Sequence, residues 1–239
     1  MVVGAAGAAS GNHQPNPESP VRRATLFLLR FGVLVPFVYY GIQAAAAPFF
    51  PGFGFVGTTA SEMGSSLSRH PAIFNAGIMT LGVITLLASL GYLLALRHLG
   101  EAPVLSLLVS ADIALNGVQT LWAGLHPLPD PRHAGYLPFV VGMFVLPVLI
   151  TLALWGRASR PLRAYFVATL VLLAAMVPVF TGVSGIDRSA NRGIIQRLYT
   201  LTTFPAIAVG AWVLGRRVRE RRQGEMSVGE MDMSQTVKP

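Results

Sequence analysis

The feature that most constrains this chain is a series of apolar segments, each about as long as the 20 residues that a membrane-spanning helix needs. Such a helix rises about 30 Å, which is the thickness of the hydrocarbon core of a bilayer. The short alternating segments of a membrane-spanning barrel are not present. Only 12% of the residues are charged, too few to cover a water-soluble globule of this size. The chain is therefore predicted to be an all-α, polytopic membrane protein.

The apolar segments predict a bundle of six membrane-spanning helices. Their approximate bounds are residues 24–46, 72–96, 102–125, 136–155, 164–182 and 194–214. The second and third helices are joined by a few residues around Gly100, so they are expected to be antiparallel neighbours. Residues 1–20 and 218–239 show no apolar periodicity, and we expect a disordered cytoplasmic tail at each end of a transmembrane domain comprising residues 21–217.

Basic residues are distributed unequally between the two sides of the predicted bundle. Of the 18 lysines and arginines, 12 lie on the side of the termini and 5 on the other, with Arg30 inside the first helix. An excess of this kind marks the cytoplasmic side of a membrane protein, so both termini are predicted to be cytoplasmic, in a bacterial inner membrane. Membrane orientation accounts for the net charge of +8, and nucleic acid is not an expected partner.

The first apolar segment has an alternative interpretation. Arg22 and Arg23 precede it and Ala44 to Ala47 follow it, as a charged region and a small-residue site flank a cleavable secretion signal. The length of the segment and the helices that follow it favour a retained span.

Polar side chains enter the third apolar segment. Asp112, Asn116 and Gln119 have i, i+4, i+7 spacing, which places them on one face of a helix. Asp112 lies near the predicted middle of the bilayer, where an unpaired carboxylate is costly. Either it is neutral and hydrogen-bonded to Asn116, Asn75 or a threonine of a neighbouring helix, or it takes part in proton transfer or ligand binding.

The connection after the third segment contains potential metal ligands. His126, Asp130 and His133 lie within eight residues, and imidazole and carboxylate groups can hold zinc. Their spacing matches no zinc motif, so solvated histidines or hydrogen bonds at the helix end are the alternative. Asp112 lies about 21 Å from His126 along a straight helix, too far for one metal shell. Asp112 and the histidines are instead expected to mark the floor and the mouth of one cavity. No cofactor is predicted, and zinc at the loop is the alternative.

The loop between the first two segments contains one acidic residue, Glu62. Ser61 is expected to cap a short interfacial helix there and Gly64 to end it, which is a structural role for this patch. The alternative role for Glu62 is that of a catalytic acid or base. Cysteine is absent and no serine-nucleophile motif occurs, so neither thiol nor serine-hydrolase chemistry is expected. Three arginines on this predicted side could bind an anionic headgroup or pair with nearby acids: Arg188, Arg192 and Arg197.

Four stretches of the chain carry a family resemblance: SEMG, HPAIFNAGIMTLG, LHPLPDPRHAGY and RLYTLTTFPAIAVG. Over roughly Leu26 to Arg216 the chain resembles a family of bacterial and archaeal six-helix membrane proteins, the domain of unknown function 998. None of these stretches is a catalytic signature. The resemblance therefore implies a six-helix membrane fold and says little about activity.

Taken together, these features predict a membrane protein without an assigned reaction, which binds a lipid or small amphiphile in an outward-facing polar cavity walled by spans two, three and six. The expected ligand-binding residues are Asn75, Asp112, Asn116, Gln119, His126, His133 and Arg197. The alternative is a membrane-embedded enzyme acting on a lipid or isoprenoid, with Asp112 or Glu62 as acid or base and a metal at His126 and His133. A transporter is the third hypothesis. Membrane lipids are the expected partners, and the oligomeric state is left open.

Overall fold

The computed structural model describes the backbone of residues 19–134 and 137–236 and the side chains of residues 19–133 and 141–221. Within these ranges the chain forms six α-helices and no strand. The helices are α1 (Pro20–Ala46), α2 (Pro71–His98), α3 (Pro103–Leu125), α4 (Leu137–Leu154), α5 (Arg160–Thr181) and α6 (Arg192–Thr236). Short 3-10 turns lie between them at Ala47–Phe49, Ser61–Gly64, Pro131–Ala134 and Trp155–Arg157. The predicted all-α fold is confirmed.

Helix length and apolarity make the chain a multi-pass membrane protein. Five segments are long and apolar enough to cross a bilayer: Pro20–Phe49, Pro71–His98, Pro103–Leu125, Arg160–Thr181 and Arg192–Arg221. Helix α4 has 18 residues. The part whose side chains are described belongs to a shorter apolar helix, Val141–Arg157. The six predicted segments therefore all correspond to helices, five of which meet the length of a span.

The helix ends follow from local sequence. Five helices have a proline in their first turn: Pro20, Pro71, Pro103, Pro138 and Pro161. The backbone N–H groups of a first turn have no intrahelical acceptor, so a proline there costs no hydrogen bond. Ser19 caps α1 by accepting a hydrogen bond from the backbone N–H of Arg22 at 3.3 Å. Helix α5 stops at Gly182, whose φ of 81° is readily adopted only without a side chain.

Helices α2 and α6 organise the bundle. Helix α2 packs closely against α1 and α3, and α6 contacts α1, α2, α4 and α5. At the α2–α3 contact the backbones approach so closely that a Cβ on Gly82 would lie 2.9 Å from the carbonyl oxygen of Gly117. Large apolar side chains also cover the outside of the bundle: Phe37 and Val104 are each 70% exposed. A bundle of this kind is suited to lipid, where apolar side chains need no cover from water.

One end of the bundle, which holds the start of α1, is tied together by arginines. Arg157 forms an ion pair with Glu101, and Arg217 Nη2 donates to the carbonyl oxygen of Arg157 at 2.7 Å. Arg221 donates to the carbonyl oxygen of His98. These bonds join the α2–α3 and α4–α5 connections to α6. The opposite end, made by residues 47–70, 126–134 and 182–191, is called the loop end below.

Helix α6 extends well beyond its apolar part. Its backbone is helical through Thr236, whereas composition predicts an unordered tail from residue 218. Charged and polar residues of good helix propensity, such as Arg219 and Glu220, allow the helix to continue after the apolar stretch ends. The tail predicted for residues 1–20 lies outside the described residues except for Ser19 and Pro20, of which Pro20 begins α1. The division into domains stays a prediction.

Candidate functional site

A carboxylate clamp holds the first loop against α6. Glu62 accepts hydrogen bonds from the backbone N–H of Thr59 at 2.7 Å and from its hydroxyl at 2.9 Å. Arg192, at the start of α6, donates to both oxygens of the same carboxylate at 2.8 and 3.1 Å. Burial raises the pKa of Glu62, but the hydrogen bonds from Thr59 and Arg192 outweigh this effect and hold the pKa below the ordinary value of a glutamate. Glu62 is thus ionised at neutral pH, and both of its carboxylate oxygens accept hydrogen bonds.

The 3-10 turn beside this clamp differs from the expected interfacial helix. Ser61 does not cap the first N–H groups of this turn. The hydroxyl of Thr59 instead accepts a hydrogen bond from the backbone N–H of Glu62 at 3.2 Å. The reason is spacing: Thr59 lies three residues before Glu62, as an N-cap does before the N3 position. The hydroxyl of Ser61 instead accepts a hydrogen bond from Gln196 Nε2 of α6 at 3.3 Å.

Asn75 joins this turn to α2. Its Nδ2 donates to the carbonyl oxygen of Gly64 at 2.9 Å. Gly64 leaves no space for a Cβ, because the side chains of Phe74 and Asn75 lie directly against it. The Ser-Glu-x-Gly turn and the Phe-Asn start of α2 are therefore parts of one contact, and Asn75 has a structural role there.

A cavity of about 250 Å³ lies beneath these loops and is called the loop-end cavity. Five helices contribute to its wall, together with the turns Ser61–Gly64 and Pro131–Ala134. The apolar part of the wall includes Ile78, Met143 and Phe204. The polar part consists of hydrogen-bonding groups: Tyr39, Ser61, Gln119, Thr120, His133, Gln196 and Thr200. No acidic, lysine or arginine side chain is among the described residues that line it.

The polar face predicted for α3 reaches this cavity only at one end. Gln119 lines the cavity, whereas Asp112 is 8% exposed and lies against Gly142 of α4. Asn116, 4% exposed, donates from Nδ2 to the carbonyl oxygen of Asp112 at 2.9 Å. Within the described residues, Oδ2 of Asp112 has no hydrogen-bond partner. Asp112 therefore lies at the α3–α4 contact, and neither Asp112 nor Asn116 is among the described residues that line the cavity.

The candidate metal ligands form hydrogen bonds and close polar contacts with one another and with other residues of their own loop. Asp130 accepts three hydrogen bonds from Arg132, and its Oδ2 lies 3.5 Å from Nδ1 of His126. The side-chain and backbone bonds from Arg132 hold the pKa of Asp130 well below its usual range. Nδ1 of His133 lies 2.8 Å from the carbonyl oxygen of His126. Among the described residues, no three metal-ligating side chains come together, so the geometry adds nothing in favour of the zinc hypothesis.

The three loop-end arginines have different environments. Arg192 pairs with Glu62, and Arg188 donates to the carbonyl oxygen of Phe180 at 2.8 Å. Arg197 is 4% exposed and donates from Nη1 to the carbonyl oxygens of Phe55 and Thr58 at 2.7 and 2.8 Å. It is not among the residues that line the loop-end cavity. Of the predicted ligand-binding residues, the structure thus brings only Gln119 and His133 together at this cavity.

Sequence reasoning missed several residues of the cavity wall. Gln196 and Thr200 have i, i+4 spacing in the apolar sequence of α6, and this polar pair was a detectable signal of one inward face. Tyr39 and Ser61 carried no such signal. Their place in the wall depends on how α1 and the first loop pack against the other helices.

The fold and this cavity define a multi-pass helical membrane protein with a pocket of mixed apolar and polar lining at the loop end. Residues 33–221 match the family described as "Protein of unknown function (DUF998)". The match covers most of the chain, so the protein belongs to this family, and the resemblance seen in the sequence is confirmed. Neither a curated protein nor a solved structure matches the chain.

Proposed function

We propose that this protein binds the neutral polar end of a lipid or small amphiphile in the loop-end cavity. The observation that carries this proposal is the composition of the cavity wall, which combines apolar side chains with hydrogen-bonding groups and includes no acidic, lysine or arginine side chain among the described lining residues. Pockets of this composition bind small molecules through a few placed polar contacts and a larger apolar area. Gln119 and Gln196 supply amide groups, and Thr200 supplies a hydroxyl oxygen. The amide of Gln196 also bonds to the N–H of Ala60 and the hydroxyl of Ser61, and the hydroxyl of Thr200 donates to the carbonyl oxygen of Arg197, so a ligand would use their remaining capacity.

The size of the cavity restricts the ligand. The cavity volume is about 250 Å³. The usual volumes of pockets for drug-sized ligands begin at about 300 Å³. The cavity accommodates a glycerol ester or a hydroxylated chain end better than a complete phospholipid. The charge of the wall also matters, because a phosphate or carboxylate would meet no arginine or lysine among the described lining residues.

Placement in the membrane is part of the proposal. We infer that the loop end faces the outside of a bacterial inner membrane and that both termini are cytoplasmic. The distribution of the arginines supports this orientation, since most of them lie beside the termini and the connections at their end of the bundle. A neutral amphiphile would then enter from the outer leaflet or from the outer aqueous phase.

The enzyme hypothesis receives less support from the geometry. Glu62 is engaged by Thr59 and Arg192, so it is poorly placed to donate or accept a proton. Asp112 lies at the α3–α4 contact rather than among the described residues of the cavity wall. Binding without chemistry is the function that the arrangement supports best.

The proposal is tested by filling the cavity. Ala123 lines it, and Ala123→Phe places a ring inside, whereas Ala111→Phe on the same helix adds a ring on an exposed face. The probe is 1-monooleoylglycerol, added to the purified full-length protein in detergent. A ligand that binds the folded state raises its melting temperature.

We expect the monoglyceride to raise the melting temperature of the wild type and of Ala111→Phe. Its apparent affinity should fall at least tenfold in Ala123→Phe. Gln119→Leu, which removes hydrogen-bonding groups without filling the space, should weaken binding by a smaller factor. Equal stabilisation of the Ala123→Phe and Ala111→Phe variants, or none in the wild type, would contradict the proposal.

A further inference from the structure

A groove at the loop end of the bundle shares no described lining residue with the loop-end cavity. It has a volume of about 500 Å³ and lies between α1, α6 and the first loop, and it is called the Arg197 groove. Its apolar wall includes Phe53, Phe55 and Leu201, whose side chains are 36, 57 and 44% exposed. Its polar wall is made by Tyr40, Gln43 and Arg197. The adjacent residues Tyr39 and Thr200 line the loop-end cavity instead, so the two spaces lie on different faces of α1 and α6.

Arg197 places a positive charge in this groove, and no described carboxylate balances it. None of the ion pairs in the described part of the chain includes Arg197. Its hydrogen bonds to Phe55 and Thr58 both use Nη1 and both end on neutral carbonyl oxygens. The rings of Phe55 and Phe53 lie 4.5 and 5.7 Å from its guanidinium carbon and offset only part of the cost of burying the charge. Its Nε and Nη2 groups make no described hydrogen bond and remain available to a ligand.

A second polar group of the same groove has no described partner. Gln43 is 6% exposed, and its Nε2 atom is buried without a hydrogen bond. A buried donor without an acceptor is costly, so the unpaired donors of Arg197 and Gln43 indicate a site for an acceptor-rich group. An anion is the group that satisfies these donors and also balances the charge of Arg197.

We propose that the Arg197 groove binds the phosphate of an anionic phospholipid, with an acyl chain along its apolar wall. Arg197 lies five residues into α6, which is about 7.5 Å along the helix and close to headgroup depth. The exposed side chains of Phe55 and Leu201 give the groove an apolar wall that a soluble anion would not use. Both features favour a lipid over free phosphate. This site does not depend on the function proposed for the loop-end cavity.

The first test leaves Arg197 and its contacts to the loop intact. Ala44 lines the groove and is exposed, so Ala44→Phe should occupy the acyl position without breaking a hydrogen bond. Ala45, the next residue, is also exposed but does not line the groove, and Ala45→Phe is the matched control. Retention of 1-palmitoyl-2-oleoyl-phosphatidylglycerol is measured by native mass spectrometry of the full-length protein, against the phosphatidylcholine with the same chains.

We expect the wild type and Ala45→Phe to retain phosphatidylglycerol at least tenfold better than phosphatidylcholine. Ala44→Phe should lose most of this preference, and so should Arg197→Gln if it folds. Ala123→Phe, which fills the other cavity, should leave it unchanged, so that the two proposals fail separately. Equal retention of both lipids by the wild type, equal preference in Ala44→Phe and Ala45→Phe, or displacement of the lipid by millimolar inorganic phosphate would overturn the proposal.

Discussion

Glu62 illustrates how one carboxylate can order a whole loop. It collects hydrogen bonds from Thr59 within the loop and from Arg192 at the start of α6, so the loop is fixed to the bundle by charge as well as by packing. Because the pKa of Glu62 is lowered in the folded protein, its ionised form is stabilised by folding. The stabilisation is present above the pKa that Glu62 has in the unfolded chain and is lost as the pH falls through the folded-state pKa.

This behaviour leads to a prediction for Glu62→Gln. The amide removes the charge, so at pH 7 we expect a loss of unfolding free energy of about 1 kcal/mol, seen as a lower melting temperature in detergent. The difference from the wild type should narrow as the pH falls through the lowered folded-state pKa of Glu62, since the wild-type carboxylate then becomes protonated. A difference that does not change with pH would show that the substitution acts through packing. Arg192→Gln is the control, and its effect should not add fully to that of Glu62→Gln.

Asp112 shows that an acidic residue in a membrane span need not belong to the proposed ligand site, which is the loop-end cavity. Its side chain is buried against Gly142, and Asn116 bonds to its backbone rather than to its carboxylate. The i, i+4, i+7 spacing correctly placed Asp112 and Gln119 on a similar face of α3. The cavity, however, reaches only Gln119, because α4 covers the part of the face that includes Asp112.

At the scale of the helices, the contact between α2 and α3 depends on two glycines that face each other. A Cβ on Gly82 would lie 2.5 Å from Cγ of Leu121 and 2.9 Å from the carbonyl oxygen of Gly117. Small residues allow helices in a membrane to approach closely and gain dispersion energy. This contact holds the two helices that carry Phe74 and Gln119 of the loop-end cavity.

We predict opposite effects for the same substitution at two helical glycines. Gly82→Ala should lower the free energy of unfolding by roughly 1 to 3 kcal/mol, because the added methyl group meets backbone atoms that cannot move freely. Gly41→Ala in α1 meets no atom within 4 Å and should be neutral or stabilising by up to about 1 kcal/mol, because alanine favours the helix. Thermal unfolding of both variants in the same detergent checks this. Equal effects at the two positions would argue against the close α2–α3 contact.

At the scale of the whole molecule, the orientation in the membrane can be tested directly because the chain contains no cysteine. Ser66 in the first loop and Ser159 in the α4–α5 connection are both exposed, and each can be replaced by cysteine. If the arginine distribution sets the orientation, an impermeant maleimide should label Ser66→Cys in intact cells. It should label Ser159→Cys only after the membrane is permeabilised. The reverse pattern of labelling would place the termini outside.

The proposed ligand sites also depend on the whole molecule. The loop-end cavity uses side chains from five helices, and the Arg197 groove uses α1, α6 and the first loop. Neighbouring residues of one helix can line different sites: Tyr39 lines the loop-end cavity, and Tyr40 lines the Arg197 groove. One helical face in isolation cannot define either site, since each wall is completed by residues distant in the sequence.

The sequence by itself determined the membrane class, the six helices and most of their ends, because apolar length and prolines in first turns act locally along the chain. It also predicted polar residues at the loop end, of which Gln119 and His133 line one cavity in the structure. Only the tertiary structure decided that Glu62 is held by Arg192 and that Asp112 lies against α4. It also decided that Arg197 is buried without a carboxylate partner among the residues whose side chains are described. The physical reason is that charge pairing and cavity shape depend on which helix faces meet, and this is settled by packing between residues far apart in the chain.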